Sequence, residues 1–115
     1  MSRVLLVDDD ADALSLRKLI CENDGHQVVA ASSVGRAREQ FRAETPDSVI
    51  LDLRLPDAED GLALIREFRD ASLKVRIVVL SGCASDLDVR EESALVDLVL
   101  SKPVRSEVLL HAIRV

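Results

Sequence analysis

Val49-Ile50-Leu51-Asp52-Leu53-Arg54-Leu55-Pro56 is the stretch that decides how this chain is read. A short apolar run, Val49 to Leu51, stops at a single carboxylate, Asp52. Pro56 follows four residues later. Apolar residues that end abruptly on one acid and a turn describe a buried strand that delivers the acid to its open end. The remaining segments are read by asking what they bring to that acid.

Upstream, Arg3 to Val7 is a strand, apolar on both faces as in a parallel sheet covered on both sides. Asp8-Asp9-Asp10 ends it. A helix is expected over Ala11–Asn23, with Asp10 as its N-cap and Ala13, Leu16 and Ile20 on one stripe. Asp24-Gly25 stops it. Gln27 to Ala31 is a short strand. Ser32 or Ser33 caps a second helix in which Val34, Ala37 and Phe41 recur at i, i+3, i+7. Thr45-Pro46 breaks that helix, and the third strand runs from Ser48 to Leu51, ending at Asp52. Downstream, Arg54 to Gly61 is a loop, and Asp60 caps a third helix carrying Leu64, Ile65 and Phe68. Val75 to Leu80 is the fourth strand, ending on Ser81-Gly82. A poorly patterned fourth helix is expected from Asp86 to about Ala94, then a short fifth strand from Asp97 to Leu100. Ser101-Lys102-Pro103 follows, and then a short final helix over Ser106–Ile113 with Leu109, Ala112 and Ile113 on one face. Strand and helix alternate five times. That alternation builds a parallel sheet with right-handed crossovers and helices on both faces.

Ligands of such folds bind outside the carboxyl ends of the strands. Those ends carry Asp8 and Asp9 (first strand), Asp52 (third), Ser81 (fourth) and Lys102 (fifth). Three crowded carboxylates repel one another, and a nearby cation removes that cost. A hard divalent ion with oxygen ligands suits them. Mg²⁺ takes one or two carboxylates, waters and phosphate oxygens. With a lysine and a hydroxyl added, the site suits a phosphoryl group, and a carboxylate in line can act as nucleophile and form an aspartyl phosphate. Asp52, the single acid on a central strand, is the nucleophile candidate; Asp8 and Asp9 are the better metal ligands.

Val7-Asp8-Asp9, Asp52 with Pro56 four residues on, Ser81-Gly82 and Lys102-Pro103 together resemble the receiver domain of bacterial two-component response regulators. The likeness covers essentially the whole chain, in the family's order. It implies a flavodoxin-like (βα)5 doubly wound fold with strand order 2-1-3-4-5. It implies that Asp52 accepts a phosphoryl group from a phosphohistidine on a sensor histidine kinase or a histidine phosphotransfer protein, in a Mg²⁺-dependent transfer that the domain catalyses on itself. Asp9 and Asp52 would bind Mg²⁺ through their carboxylates, Arg54 through its backbone carbonyl, and Asp8 largely through water. Ser81 would hold a phosphoryl oxygen, Lys102 would pair with the phosphoryl group, and the Lys102-Pro103 peptide would be cis. The surface around the fourth helix, fifth strand and fifth helix would carry the output, with homodimerisation on phosphorylation common in the family. Beyond phosphotransfer and dephosphorylation on itself, no enzyme activity is implied.

The chain departs from the family in three places. Val99 stands three residues before the lysine, where the family usually has an aromatic; the chain has no Tyr or Trp at all. Pro56 to Gly61 is one residue longer than the usual Pro-x-x-x-Gly. The last helix is short, as in a chain trimmed ahead of an output domain.

The totals fit this reading. At 115 residues, 48% hydrophobic and 31% charged, the chain has enough apolar content for one domain with a real core. No stretch reaches membrane-span length and no signal-peptide pattern opens the chain, so a cytoplasmic location is expected. A net charge of −6 and only two aromatics, Phe41 and Phe68, argue against nucleic-acid binding by this domain. Cys21 and Cys83 lack metal or disulfide spacing and are expected to pack inertly. His26 is expected exposed in its turn. Neither His26 nor His111 is assigned a role.

Two other functions compete. Asp8-x-Asp10 is similar to the opening motif of the haloacid dehalogenase superfamily, which would make this a phosphatase-type enzyme; the chain is too short for the cap and metal-binding strands expected there. A receiver-like interaction module that no longer signals by phosphate is the second alternative, motivated by Val99 and the longer loop. No GxxxxGK[ST] or GxGxxG motif supports a nucleotide enzyme.

Overall fold

The computed structural model describes residues 2–53, 58–82 and 94–113. Five parallel strands form one sheet: β1 (Arg3–Val7), β2 (Gln27–Ala31), β3 (Ser48–Asp52), β4 (Arg76–Ser81) and β5 (Leu98–Ser101). Their order is β2-β1-β3-β4-β5, as the resemblance implied. The described helices are α1 (Ala11–Asn23), α2 (Val34–Glu44), α3 (Ala58–Ala71) and α4 (Ser106–Ile113). The expected helix from Asp86 lies, up to Ser93, outside the described residues, as does the turn from Arg54 to Asp57.

The period-two alternation of the strands sorts the core into two layers. Leu5, Val7, Val49, Leu51, Ile77 and Val79 face α2 and α3, where they meet Ala37, Phe41, Ile65 and Phe68. Val4, Leu6, Ile50, Val78 and Leu80 face α1 and α4, where they meet Leu14, Cys21, Leu109 and Ile113. Residues of β3 are buried from end to end, because both faces are covered. The two aromatic rings stack on each other at 4.2 Å and 8°, joining α2 to α3.

Local chemistry sets the helix ends. The Asp10 side chain accepts from the N–H groups of Asp12 and Ala13, and the Ser33 side chain accepts from that of Arg36, as N-caps do. Gly25, at φ +92°, turns the chain out of α1 into β2. Thr45, at φ 42°, closes α2 ahead of Pro46.

Four expectations need correction. The buried positions of α1 are Leu14 and Cys21, with Arg17 half-buried between them; of the expected stripe, Ala13 and Ile20 are only half-buried and Leu16 is 60% exposed. A basic residue in the middle of the inward face disguised the period. Asp60 does not cap α3. That helix begins at Ala58, so Asp60 lies in its first turn, and the expected loop is helical over its last residues. β4 and β5 each run one residue later than expected, which leaves Asp97 ahead of β5. The His26 side chain is only 7% exposed. Its Nδ1 accepts from the Ser2 N–H at 3.3 Å, and its Nε2 lies 3.0 Å from Asp24 Oδ2. A neutral ring protonated at Nε2 satisfies both contacts.

Gly61 sits inside α3, where that helix crosses the backbone just past Asp52. A Cβ there would run into the Leu53 carbonyl. An added methyl normally favours a helix, but here it meets rigid backbone. Gly61→Ala should lower the urea midpoint by an amount equivalent to about 1–3 kcal/mol, with an unchanged slope. An unchanged midpoint would show that α3 can shift freely over β3.

Burial, with Asp24 and Glu22 nearby, pushes the Cys21 thiol up from 9.0 to about 11. The native state keeps its proton where the unfolded chain has lost it. Its contribution to stability is therefore full below pH 9 and is lost as pH rises towards 11. Denaturant titrations across that range should show a fall in stability that is absent in Cys21→Ala. An identical fall in both proteins would assign the slope to other groups.

Candidate functional site

The ladder registers bring the carboxyl ends of β1, β3, β4 and β5 level. Val7 pairs with Leu51, Asp52 with Leu80, and Ser81 with Ser101. Single backbone hydrogen bonds continue the pairing beyond the strands and hold the site residues. Asp8 N donates to Ala31 O at 3.2 Å, Leu53 N to Leu80 O at 3.1 Å, and Lys102 N to Ser81 O at 2.9 Å. The edge of the sheet is thus a fixed frame for four side chains.

Asp8, Asp9 and Asp52 each offer a carboxylate oxygen within 4.8 Å of the others. Asp8 and Asp52 are buried, at 2% and 7% exposure, and Asp9 is exposed. Lys102 Nζ lies 2.6 Å from Asp52 Oδ2. Ser81 is buried at the end of β4. All of the expected site residues within the described chain therefore meet at one edge; Arg54 lies outside the described residues. The Lys102-Pro103 peptide is cis.

Three oxygen-rich, hard carboxylate donors within this span fit a Mg²⁺ ion, which prefers oxygen and keeps several waters. Among the described residues, Asp9 is the exposed member of the three. A cleft of about 670 Å³ opens between α1 and α4, bordered by Asp8, Asp9, Asp52 and Lys102. A larger cavity of about 790 Å³ lies at the opposite end of the sheet, near Phe41, Pro46 and Asp97, and none of the expected site residues borders it.

One residue at the site was missed. Arg17 reaches from α1 and donates from Nη1 to Asp8 Oδ2 at 2.5 Å, while Asp8 Oδ1 accepts from Asp10 N at 2.9 Å. The available signal was a lone basic residue interrupting Leu14-x-x-Arg17-x-x-x-Cys21. A second cluster that sequence reasoning missed lies at the opposite end of the sheet. Arg69 donates to the carbonyls of Leu95 and Val75 and pairs with Asp97 at 3.0 Å, and Asp97 Oδ2 in turn accepts from Ile77 N at 2.7 Å.

The model of the response regulator receiver domain matches residues 4–114. The chain belongs to the response regulator receiver family. It is 36% identical over 110 residues to the virulence transcriptional regulatory protein PhoP of Salmonella typhimurium, across 93% of this chain and 48% of that protein. It is 37% identical to the transcriptional regulatory protein CseB of Streptomyces coelicolor, across 98% of this chain and 48% of that one. The receiver thus spans about half the length of the curated relatives it matches. Among solved structures it resembles a CheY-like receiver domain from Methylobacillus flagellatus, with 30% identity, a TM-score of 0.86 and 99% of both chains covered. It also resembles the response regulator TrrA of Thermotoga maritima, solved in complex with Mg²⁺-BeF, with 25% identity, a TM-score of 0.87 and coverage of 98% and 96%.

Neutralising Asp9 removes one charge from the cluster without opening a cavity. In EDTA, Asp9→Asn should melt a few degrees above the wild type, on the order of 1 kcal/mol. Excess Mg²⁺ should cancel that advantage, because the variant has one ligand fewer. An equal or lower melting temperature in EDTA would show that repulsion is already offset by the neighbouring cations.

Proposed function

We propose that this receiver is a phosphoacceptor and that Asp52 is the residue phosphorylated. The observation that carries this reading is the Lys102 ammonium 2.6 Å from the Asp52 carboxylate, inside a cluster that also holds Asp8 and Asp9. An Asp52 oxygen attacks the phosphorus of a phosphohistidine. The P–O bond forms as the P–N bond breaks, and the imidazole leaves with a proton taken from solvent. Asp8, Asp9 and Asp52 would hold Mg²⁺, with the Arg54 carbonyl expected as a further ligand. When bound, that ion supplies positive charge to the phosphoryl oxygens. Lys102 is placed to follow charge from the carboxylate to the phosphoryl group. The Ser81 hydroxyl donates to another of its oxygens. Hydrolysis returns the carboxylate and inorganic phosphate.

Asp52 is therefore a reagent that is loaded and cleared, and the domain is not a turnover enzyme for outside substrates. The phosphodonor is a sensor histidine kinase or a histidine phosphotransfer protein, and phosphorylation favours a homodimer. A net charge of −6 supports a protein partner rather than direct contact with nucleic acid. No helix among the described residues is long and apolar enough to cross a membrane. The proposed location is the cytoplasm, where such phosphodonors act.

A second reading has its own observation. Val99, in the position of the family's usual aromatic, packs against the core layer under α2 and α3 and pairs with Val79. A branched side chain fixed there cannot make the inward ring rotation that reports phosphorylation. That favours a module that binds its partner with or without phosphate.

Intact mass after incubation with acetyl phosphate and Mg²⁺, with a beryllofluoride-loaded sample to cover a short-lived adduct, separates the two. One Mg²⁺-dependent phosphoryl adduct, absent in Asp52→Asn, is the expected result. Failure of both acetyl phosphate and beryllofluoride to load the site would leave the phosphate-independent module.

A further inference from the structure

Arg17 occupies an inward position on α1, between Leu14 and Cys21 on the same stripe. Its side chain is 18% exposed, and that of its partner Asp8 is 2% exposed. A charged group on the buried face of a helix requires a counter-charge, and a buried carboxylate requires one equally. Both needs are met by this one pair. The other Asp8 oxygen is taken by the Asp10 N–H. Both oxygens of Asp8 are therefore engaged within the chain, and the guanidinium stands beside the carboxylate cluster in which Mg²⁺ would sit.

We propose that Arg17 is an internal competitor for the acidic pocket and sets the Mg²⁺ concentration at which the pocket fills. This rests on the metal-dependent receiver reading above. The guanidinium stabilises the metal-free protein by neutralising Asp8. A divalent ion arriving at Asp9 and Asp52 meets that positive charge and draws on the same carboxylate. Two cations that share one carboxylate are antagonists, and each weakens the binding of the other by the same factor. Lys102 shares Asp52 with the ion in the same way, but its charge can pass to a phosphoryl group, whereas the Arg17 charge stays on Asp8.

The test is calorimetric titration with Mg²⁺ at constant ionic strength, using wild type, Arg17→Met and Arg17→Lys, with melting curves in EDTA. Met keeps the aliphatic stem and removes the charge. Arg17→Met should melt lower in EDTA and bind Mg²⁺ about five- to twentyfold more tightly, in the range of ordinary coupling between sites. Arg17→Lys should fall between Met and wild type. If Arg17→Met melts lower but binds Mg²⁺ with unchanged or weaker affinity, Arg17 only packs and pairs, and the inference fails while the receiver reading stands. If the wild type binds no Mg²⁺ at all, the metal reading and this inference fall together. Should Arg17→Met not fold in EDTA, the Arg17 side-chain NMR signal of the wild type decides. A shift that saturates with Mg²⁺ binding supports competition, and a signal that stays fixed while the backbone around Asp52 responds overturns it.

Discussion

Three carboxylates within 4.8 Å, two of them buried, are the constraint around which the rest of this domain is arranged. Ionised groups at that spacing repel strongly wherever water is scarce. A parallel sheet makes the problem unavoidable, because the registers of β1 and β3 bring Asp8 and Asp52 side by side. The chain answers with cations from two directions. Arg17 comes from α1 to Asp8, and Lys102 comes from the end of β5 to Asp52. Each cation needs its own element held in place, so the docking of α1 and the position of an edge strand both become conditions for the site.

The edge strand is the more demanding of these. β5 has four residues and only β4 beside it. Short edge strands are weakly held by their own ladders. Here the strand is fastened at both ends. Asp97 and Arg69 tie its start to β4 and α3, and the Lys102 N–H tie to Ser81 O secures its finish. That second bond also joins the backbone of the hydroxyl residue to that of the lysine. With a half-buried Val99 packed against the core and no ring to rotate, the joined ends of β4 and β5 are the part of the frame that phosphate at Asp52 would pull on. The pull shifts a population only as far as the two states differ in their contacts with it.

Most of this was legible in the sequence because it rests on strong local signals. Apolar runs that stop at Asp8, Asp52 and Ser81 mark strands and their ends together, and strand order followed from the family likeness carried by those same residues. Asp10 and the Ser32-Ser33 pair marked the helix starts through side-chain capping, and the structure uses Asp10 and Ser33. What escaped depended on contacts across the fold. Arg17 looks like a surface residue until α1 is docked and Asp8 is beneath it. The Asp60 cap failed because α3 begins at Ala58, which puts Asp60 inside its first turn, with Gly61 against the Leu53 carbonyl. His26 was taken as exposed because a turn normally is; the Ser2 and Asp24 partners that enclose it come from either side of α1.

The two cations differ in ways that suit different tasks. Lysine is a compact charge on a flexible stem, and the Lys102 side chain keeps 34% of its surface in solvent. It can move from a carboxylate to a larger anion at little cost. Arginine presents a planar, permanently charged fork, and Arg17 is held among buried neighbours on α1. Moving it exposes both the fork and the Asp8 carboxylate to a changed environment. A pocket with one mobile and one confined cation therefore treats its two expected occupants differently: an added anion gains a partner from Lys102, whereas an added cation meets opposition from Arg17. The phosphoryl group and the metal therefore meet these two cations differently, even though both ligands share Asp52.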